Sequence, residues 1–437
     1  MATILLCIFA FGYLAIVFES VIKINKTASA IVTGVLCWVI LVFFSQNTEG
    51  VHHALSEKFA EICEILFFLL GAMTIVELVD AHDGFDVLVE KITTRNKRKL
   101  LWIIGLVTFF LSAVLDNLTT TIVMVSFLRK LFPTENVEIQ LQEEKKLLVG
   151  IIIIAANAGG AWSPIGDVTT TMLWIGGQVT SIPLIVKLFL PSLACLFAPM
   201  LLISRKFKGI LPKLETTKTE SETTLILTRR HQILVFSMGI GALLFVPIFK
   251  TLTGLPPYLG MLLALGVLWV ALDVLHFRKD DDVKHALTPL SALQRIDTPS
   301  ILFFLGILLA VASLETTGIL RGAAESLNTR IGNPTIIATC IGLASAVVDN
   351  VPLLAASMGM FSLQNVPQND IFWHIMAYCT GTGGSILIIG SAAGVAAMGL
   401  EKIDFIWYFK RVSWLALLGY FSGILVFILE HFCFDLK

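Results

Sequence analysis

Long uncharged stretches alternate with short charged ones along the chain. Apolar runs at Met1–Phe18, Thr27–Thr48, Ile62–Val79, Ile182–Ser204, His231–Phe249, Tyr258–Leu275, Pro299–Glu315, Ile371–Leu400 and Val412–Leu429 each approach or exceed the roughly 18–20 residues that cross a bilayer core. No water-soluble period of apolar and polar residues runs through them. They predict transmembrane helices, and the fold class is an all-α polytopic membrane protein.

Two segments break the pattern. Leu100–Leu128 is 29 residues with one charge, Asp116, and basic residues at both ends: Arg98 and Lys99 before, Arg129 and Lys130 after. A single helix of that length would reach ~43 Å, against a core of about 30 Å. A re-entrant hairpin (residues 100–132) entering from the cytoplasm, with its tip at Asp116-Asn117, satisfies length and flanks together; a strongly tilted span is the alternative. Leu147–Gly177 reads Asn157-Ala158-Gly159-Gly160-Ala161-Trp162-Ser163-Pro164-Ile165-Gly166-Asp167 in its middle. Its glycines and proline do not sustain an unbroken helix.

The loop charges orient the whole. Lys23 and Lys26 follow the first span, a His/Glu-rich loop (Glu49, His52, His53, Glu57, Glu61) follows the second, and Lys91, Arg95, Lys97, Arg98 and Lys99 follow the third. Basic loops lie inside, which puts the N-terminus outside. Met1–Phe18 lacks the basic start and small-residue cleavage site of a signal peptide and is read as the first span.

The second half repeats the plan. Ser112-Ala113-Val114-Leu115-Asp116-Asn117 recurs as Ser345-Ala346-Val347-Val348-Asp349-Asn350. Each string precedes a glycine-broken segment, in which Gly159, Gly160 and Gly166 align with Gly383, Gly384 and Gly390. Five spans plus a hairpin is an odd number of crossings, so the halves are expected to be inverted repeats. The first covers 1–212, with its broken helix at 147–177; a cytoplasmic linker covers 213–230. The second covers 231–437, with an outer-side hairpin at 334–363 and a broken helix at 371–400. Inverted repeats with interrupted helices at equivalent positions point to a transport site at their interface.

Composition agrees. The chain of 437 residues is 56% hydrophobic and 14% charged, with mean hydropathy +0.85; soluble domains carry about 25% charged residues. The net charge of −1 gives no sign of nucleic-acid binding. The seven cysteines are scattered without metal or disulfide spacing.

The candidate chemistry is three intramembrane acids, Asp116, Asp167 and Asp349, none with a Lys or Arg in its own apolar stretch. A carboxylate at the bilayer centre costs at least ~2.5–3.5 kcal/mol and is a functional candidate by default. Without a basic partner its protonated form is favoured unless a metal cation replaces the proton, which is the logic of cation/proton exchange. Asn117, Asn157, Asn350, Thr119, Thr120, Ser163, Thr169, Thr170, Thr382 and Ser385 are neutral oxygen donors nearby, as a hard ion wants. The duller reading is that these side chains, and Asp116 and Asp349 themselves, cap helix N-termini. Ser391 stands where Asp167 stands in the first half, so the halves are not equivalent. Ser112, Gly159, Gly160, Pro164, Gly166, Ser345, Pro352, Gly383, Gly384, Gly390 and Ser391 are assigned to hairpin and broken-helix geometry. A second polar patch (Glu77, Asp80, His82) ends span three, and Glu315 ends a later span; each is a candidate gate or pH sensor, or simply a solvated span end. His374 and Trp373 are expected at the interface.

At these motifs the chain resembles the NhaD-type sodium/proton antiporters of the ion transporter superfamily. The strings are DNLTTTIVM from Asp116, NAGGAWSPIGDVTTTMLW from Asn157, VELVDAHDGFDVL from Val76, SAVVDN from Ser345 and GTGGSILIIGSAAG from Gly381, in the same order. The resemblance covers essentially the whole chain. It implies exchange of Na⁺ or Li⁺ for H⁺, no cofactor, a homodimer with a scaffold and a mobile elevator part, and a bacterial cytoplasmic membrane. Anion carriers of the superfamily place Ser-Asn-Thr at the hairpin tips, and Asp-Asn here favours a cation. The alternative is a Na⁺-coupled carrier of a dicarboxylate or other anion. Extrusion of a metalloid oxyanion rests on superfamily analogy alone. No HExxH or GxSxG motif supports an intramembrane enzyme.

Overall fold

The computed structural model describes residues 1–85, 87, 92, 94–132, 139–211, 228–276 and 287–434. Lys91 and most of the expected linker 213–230 lie outside them. Among the described residues there are helices and turns but no strand; one backbone bridge joins Asn96 and Ile210. The helices are α1 (Ala2–Val17), α2 (Glu19–Ile22), α3 (Lys26–Phe44), α4 (Thr48–Ala81), α5 (Lys97–Ser112), α6 (Asn117–Leu131), α7 (Ile139–Ala161), α8 (Val168–Ile175), α9 (Ser181–Ile203) and α10 (Arg229–Thr253). They continue as α11 (Pro257–His276), α12 (Pro289–Arg295), α13 (Thr298–Thr316), α14 (Ile319–Arg330), α15 (Pro334–Ala344), α16 (Asn350–Met360), α17 (Ile371–Gly383), α18 (Ala392–Glu401), α19 (Phe405–Arg411) and α20 (Ser413–Phe434).

Seven of the described helices (α3, α4, α9, α10, α11, α13 and α20) are long and apolar enough to cross a membrane. The apolar run 100–128 is interrupted, with α5 ending at Ser112 and α6 starting at Asn117. The run 147–177 breaks between Ala161 and Val168, 334–363 breaks between Ala344 and Asn350, and 371–400 breaks between Gly383 and Ala392. The His/Glu-rich loop expected after span two is instead the start of α4, a 34-residue helix capped by Asn47, whose side chain accepts from the Gly50 amide. The run Glu49–Glu61 contains no proline and only one glycine, at its start, so nothing stops the helix from extending past the apolar region.

Two groups of helices pack mainly within themselves. One is α1, α3, α4, α10, α11 and α13; the other is α5–α9, α15–α18 and α20. In the first, α3 and α13 cross at Gly34 and Gly306, where a Cβ on either would overlap backbone atoms of the other helix. The groups meet chiefly where α16 lies against α13 and where α8 lies against α4. Polar ties join helix ends that the charge pattern assigns to one side. Lys97–Glu144 (2.6 Å), Arg129–Glu401 (2.6 Å) and Lys145–Glu401 (2.7 Å) join ends assigned to the cytoplasm. Lys58–Glu315 (2.9 Å) and the Asn369 side chain on the Thr180 amide (2.8 Å) join ends assigned to the outside.

Candidate functional site

Every helix break exposes one set of bare carbonyls and one set of bare N–H groups. At the tip between α5 and α6, Asp116 caps α6: its Oδ1 accepts from the Thr119 amide (2.7 Å) and its Oδ2 from the Thr119 hydroxyl (2.8 Å). Asp167 caps α8 by accepting from the Thr169 amide (3.0 Å). Asp349 caps α16 through the Val351 amide (3.2 Å). Ser391 caps α18 through the Gly394 amide (3.2 Å). Such caps are each worth about 1 kcal/mol, so the capping role suggested for Asp116 and Asp349 is real.

Capping does not exhaust these side chains. The Asn117 amide nitrogen donates to Asp167 Oδ2 and to Asn157 Oδ1, both at 3.0 Å. Asn157 in turn donates to the Ser391 hydroxyl at 3.0 Å. The first hairpin tip, the first broken helix and the second broken helix thus share one polar chain. Asp167 is only 2% exposed, Asn117 6% and Asn157 fully buried, while Asp116 is half-buried. Among the described residues neither Asp116 nor Asp167 pairs with a Lys or Arg. Gly381 borders the cluster, close enough that a Cβ there would lie 3.6 Å from Asp167 Oδ2. The Thr120 hydroxyl, on the first turn of α6, is buried and has no hydrogen-bond partner among the described residues.

The other expected donors stand at varying removes. Thr169 is buried beside Asp167. The Thr170 hydroxyl donates to the Asp167 carbonyl (2.9 Å), and Ser163 Oγ accepts from the Ile165 amide (3.3 Å), so both shape the break. Thr171, not singled out from sequence, donates to the Pro164 carbonyl (3.0 Å). Thr382 and Ser385 spend their hydroxyls on carbonyls of their own segment, Tyr378 and Thr382, at 2.6 Å each. Asn350 is buried at the start of α16, and Pro352 fits the first turn of that helix, where its missing N–H costs nothing.

Asp349 departs from expectation. Lys26, at the start of α3, approaches its carboxylate to 3.6 Å, and the two side chains are 31% and 22% exposed. The absence of a basic partner therefore holds for Asp116 and Asp167 but not for Asp349, because the partner arrives from an element more than 300 residues away in the chain. Glu77 faces Arg295 (3.9 Å) and Glu315 is held by Lys58 (2.9 Å), so neither is among the hydrogen-bond partners of Asp167. His82 is buried at the end of α4, with Asp80 two residues before it on the last turn of that helix. Trp373 and His374, expected at the interface, are fully buried at the start of α17.

The two halves of the site use the same contacts. The Ser112 hydroxyl donates to the Ala156 carbonyl (2.6 Å) and the Ser345 hydroxyl reaches the Thr380 carbonyl (3.4 Å). A Cβ on Gly159 would overlap the Phe109 carbonyl oxygen, and one on Gly383 the Gly342 carbonyl oxygen. Gly166 faces the Ser112 carbonyl and the Ala113 Cα, and Gly390 the carbonyl and Cα of Ala346, so the shared neighbour is the alanine of each tip. Only glycine lets hairpin and broken helix approach this closely.

Interrupted membrane helices whose breaks share one buried polar cluster define a multi-pass membrane transporter rather than an enzyme. Comparison with known families agrees: residues 13–383 match the family model described as "Citrate transporter" (CitMHS). The chain is 51% identical to "Sodium/proton antiporter 1" of Arabidopsis thaliana over 97% of its own length and 72% of that protein's. It is 48% identical to "Sodium/proton antiporter 2" of the same plant, covering 97% and 98%, and 31% identical to "Na(+)/H(+) antiporter NhaD" of Vibrio cholerae, covering 97% and 91%. The chain belongs to the NhaD-type sodium/proton antiporter family.

Proposed function

We propose that this protein exchanges Na⁺, or Li⁺, for H⁺ across its membrane, with cation and proton alternating on the Asp167 carboxylate and Asp116 beside it. The observation that carries this reading is a 2%-exposed carboxylate bonded to Asn117 and to a helix N-terminus, with no Lys or Arg partner among the described residues. Burial penalises its charge, and either a proton or a hard cation with the amide oxygen of Asn157 can compensate it. Asn117, Thr119, Thr120 and Thr169 complete the neutral surroundings. Asp349 and Asn350 hold a supporting position at the second tip.

The same geometry disfavours an anion such as citrate or a dicarboxylate, although the matching family model bears that description. Anions bind the bare N–H groups of helix N-termini, and here the side chain of Asp116, Asp167, Asp349 or Ser391 takes one of those groups at each break. Three of the four caps are carboxylates, which repel an anion.

Inverted repeats, with boundaries at 212 and 231, are supported by the paired contacts of Gly159 with Gly383 and of Ser112 with Ser345. The two self-packed helix groups suit a scaffold and an elevator-like moving part. A homodimer follows from the family resemblance. The external N-terminus is a reading of the charge pattern. The bacterial cytoplasmic membrane is our reading by resemblance; relatives whose names say sodium/proton antiporter come from both a plant and a bacterium.

Inside-out vesicles holding a pH gradient test the function directly. NaCl, and LiCl in a parallel run, should dissipate the gradient in wild-type vesicles and fail to do so with Asp167→Asn, inserted in equal amount. No response of the wild type to either salt, from mildly acid to mildly alkaline pH, or sodium-dependent uptake of labelled citrate, would overturn the reading.

A further inference from the structure

Three histidines from three helices meet at the end of the first helix group assigned to the cytoplasm. His82 closes α4, His231 lies in the first turn of α10 and His276 is the last residue of α11. Their ring centroids form a nearly equilateral triangle, with sides of 5.6 Å (His82–His231), 5.1 Å (His82–His276) and 5.2 Å (His231–His276). One ring nitrogen from each lies within 4.8 Å of the other two. His231 Nε2 and His276 Nε2 are 3.2 Å apart, close to the roughly 3.3 Å that separates two ligands of a tetrahedral ion with bonds of about 2.0–2.1 Å.

The outer contacts favour ligation too. His82 Nδ1 lies 2.6 Å from the Leu78 carbonyl. That carbonyl only accepts, so Nδ1 carries the hydrogen and Nε2 keeps its lone pair. Metal-bound histidines are commonly held this way. His82 and His276 are buried and His231 is half-buried. The helix ends that carry them are held tightly. Gly239 of α10 sits directly on Val79 of α4, and a Cβ on Gly84 would lie 2.7 Å from Val79 Cγ1. Phe85 packs edge-on against Phe236 at 6.2 Å.

We propose that His82, His231 and His276 bind a divalent transition-metal ion of the zinc class. Three imidazoles suit such an ion and not an alkali cation, which wants oxygen ligands. None of the three belongs to the Asp116–Asp167 cluster, so the site is separate from the transported ion's. Its occupant pins α4 of the first half to α10 and α11 of the second, and acts as a clasp on the stationary helix group.

The test uses full-length protein without a histidine tag, purified in detergent, stripped with chelator and titrated with Co²⁺ as a spectroscopic substitute. One equivalent should give the visible absorption of tetrahedral Co²⁺, Zn²⁺ should displace it, and the thermal unfolding midpoint should rise with Zn²⁺. His231→Gln and His276→Ala should each weaken binding by at least the ~10–100-fold that loss of even an outer-shell partner costs. His231, only half-buried, is the substitution that leaves the packing of α4 intact, and elution as a single species with an unchanged metal-free midpoint checks this. Asp167→Asn should bind Co²⁺ as the wild type does, which separates failure of this proposal from failure of the exchange reading. Absence of the Co²⁺ bands at one equivalent, or equal affinity of wild type and His231→Gln, would overturn it.

Discussion

Asp116, Asp167 and Asp349 occupy similar positions at helix starts, yet their surroundings separate them. Asp167 is sealed behind Asn117 and Asn157, whereas Asp349 is partly exposed and shares its charge with Lys26. A partly exposed ion pair is worth about 0–1 kcal/mol. Asp349→Asn and Lys26→Met should therefore each keep the Na⁺ response within about threefold of wild type, where Asp167→Asn removes it. Complete loss with Lys26→Met would mean that Asp349 is part of the exchange centre. Asn117→Ala removes two hydrogen bonds at once, one of them to a carboxylate. A bond to a charged group contributes ~1.5–3 kcal/mol, and each 1.4 kcal/mol is about tenfold. The Na⁺ concentration for half-maximal dissipation should rise by at least about tenfold, and an unchanged value would remove Asn117 from the site.

The interrupted helices depend on backbone approaching backbone. Gly159 lies against the Phe109 carbonyl and Gly383 against that of Gly342, so any side chain at either glycine forces hairpin and broken helix apart. Overpacking of this kind costs ~1–3 kcal/mol. Gly159→Val should lower the unfolding midpoint of the purified protein and broaden its elution. Gly241, inside α10, has nothing within 4 Å of where a Cβ would sit. Gly241→Ala should leave the midpoint unchanged or slightly raised, since alanine is the better helix former by up to about 1 kcal/mol. A lower midpoint for Gly241→Ala would show that this contrast does not come from the breaks.

The contacts that cross between the two helix groups bear on movement. A cleft of about 450 Å³ lies between α4, α8, α13 and α16, lined by Lys58, Glu64, Glu315, Met172 and Met358. At its edge a Cβ on Gly359 would stand 3.5 Å from Cβ of Glu315, within disulfide range. The double substitution Glu315→Cys with Gly359→Cys joins α13 to the second hairpin. Oxidation should stop the Na⁺ response and reductant should restore it, with neither single variant affected. Undiminished exchange in the fully cross-linked protein would rule out sliding of one group past the other.

The membrane class, seven of the spans and the interrupted segments were legible in the chain, because each follows from local properties. These are run length against bilayer thickness, glycine and proline within a run, and charge at its ends. The expected first span, Met1–Phe18, forms a shorter apolar helix, Ala2–Val17. Asp116, Asn117, Asn157 and Asp167 were legible as candidates for the same reason: polar groups are costly in apolar runs, wherever those runs later pack. The loop misread after span two was a matter of hydrophilicity taken for irregularity, although nothing in Glu49–Glu61 forbids helix. What the chain order concealed was partnership. That Asn117 would bridge Asn157 and Asp167, that Lys26 would find Asp349, and that His82 would meet His231 and His276 depend on helices far apart in sequence packing side by side. Only the tertiary structure decided these, since a side chain's environment is set by its neighbours in space.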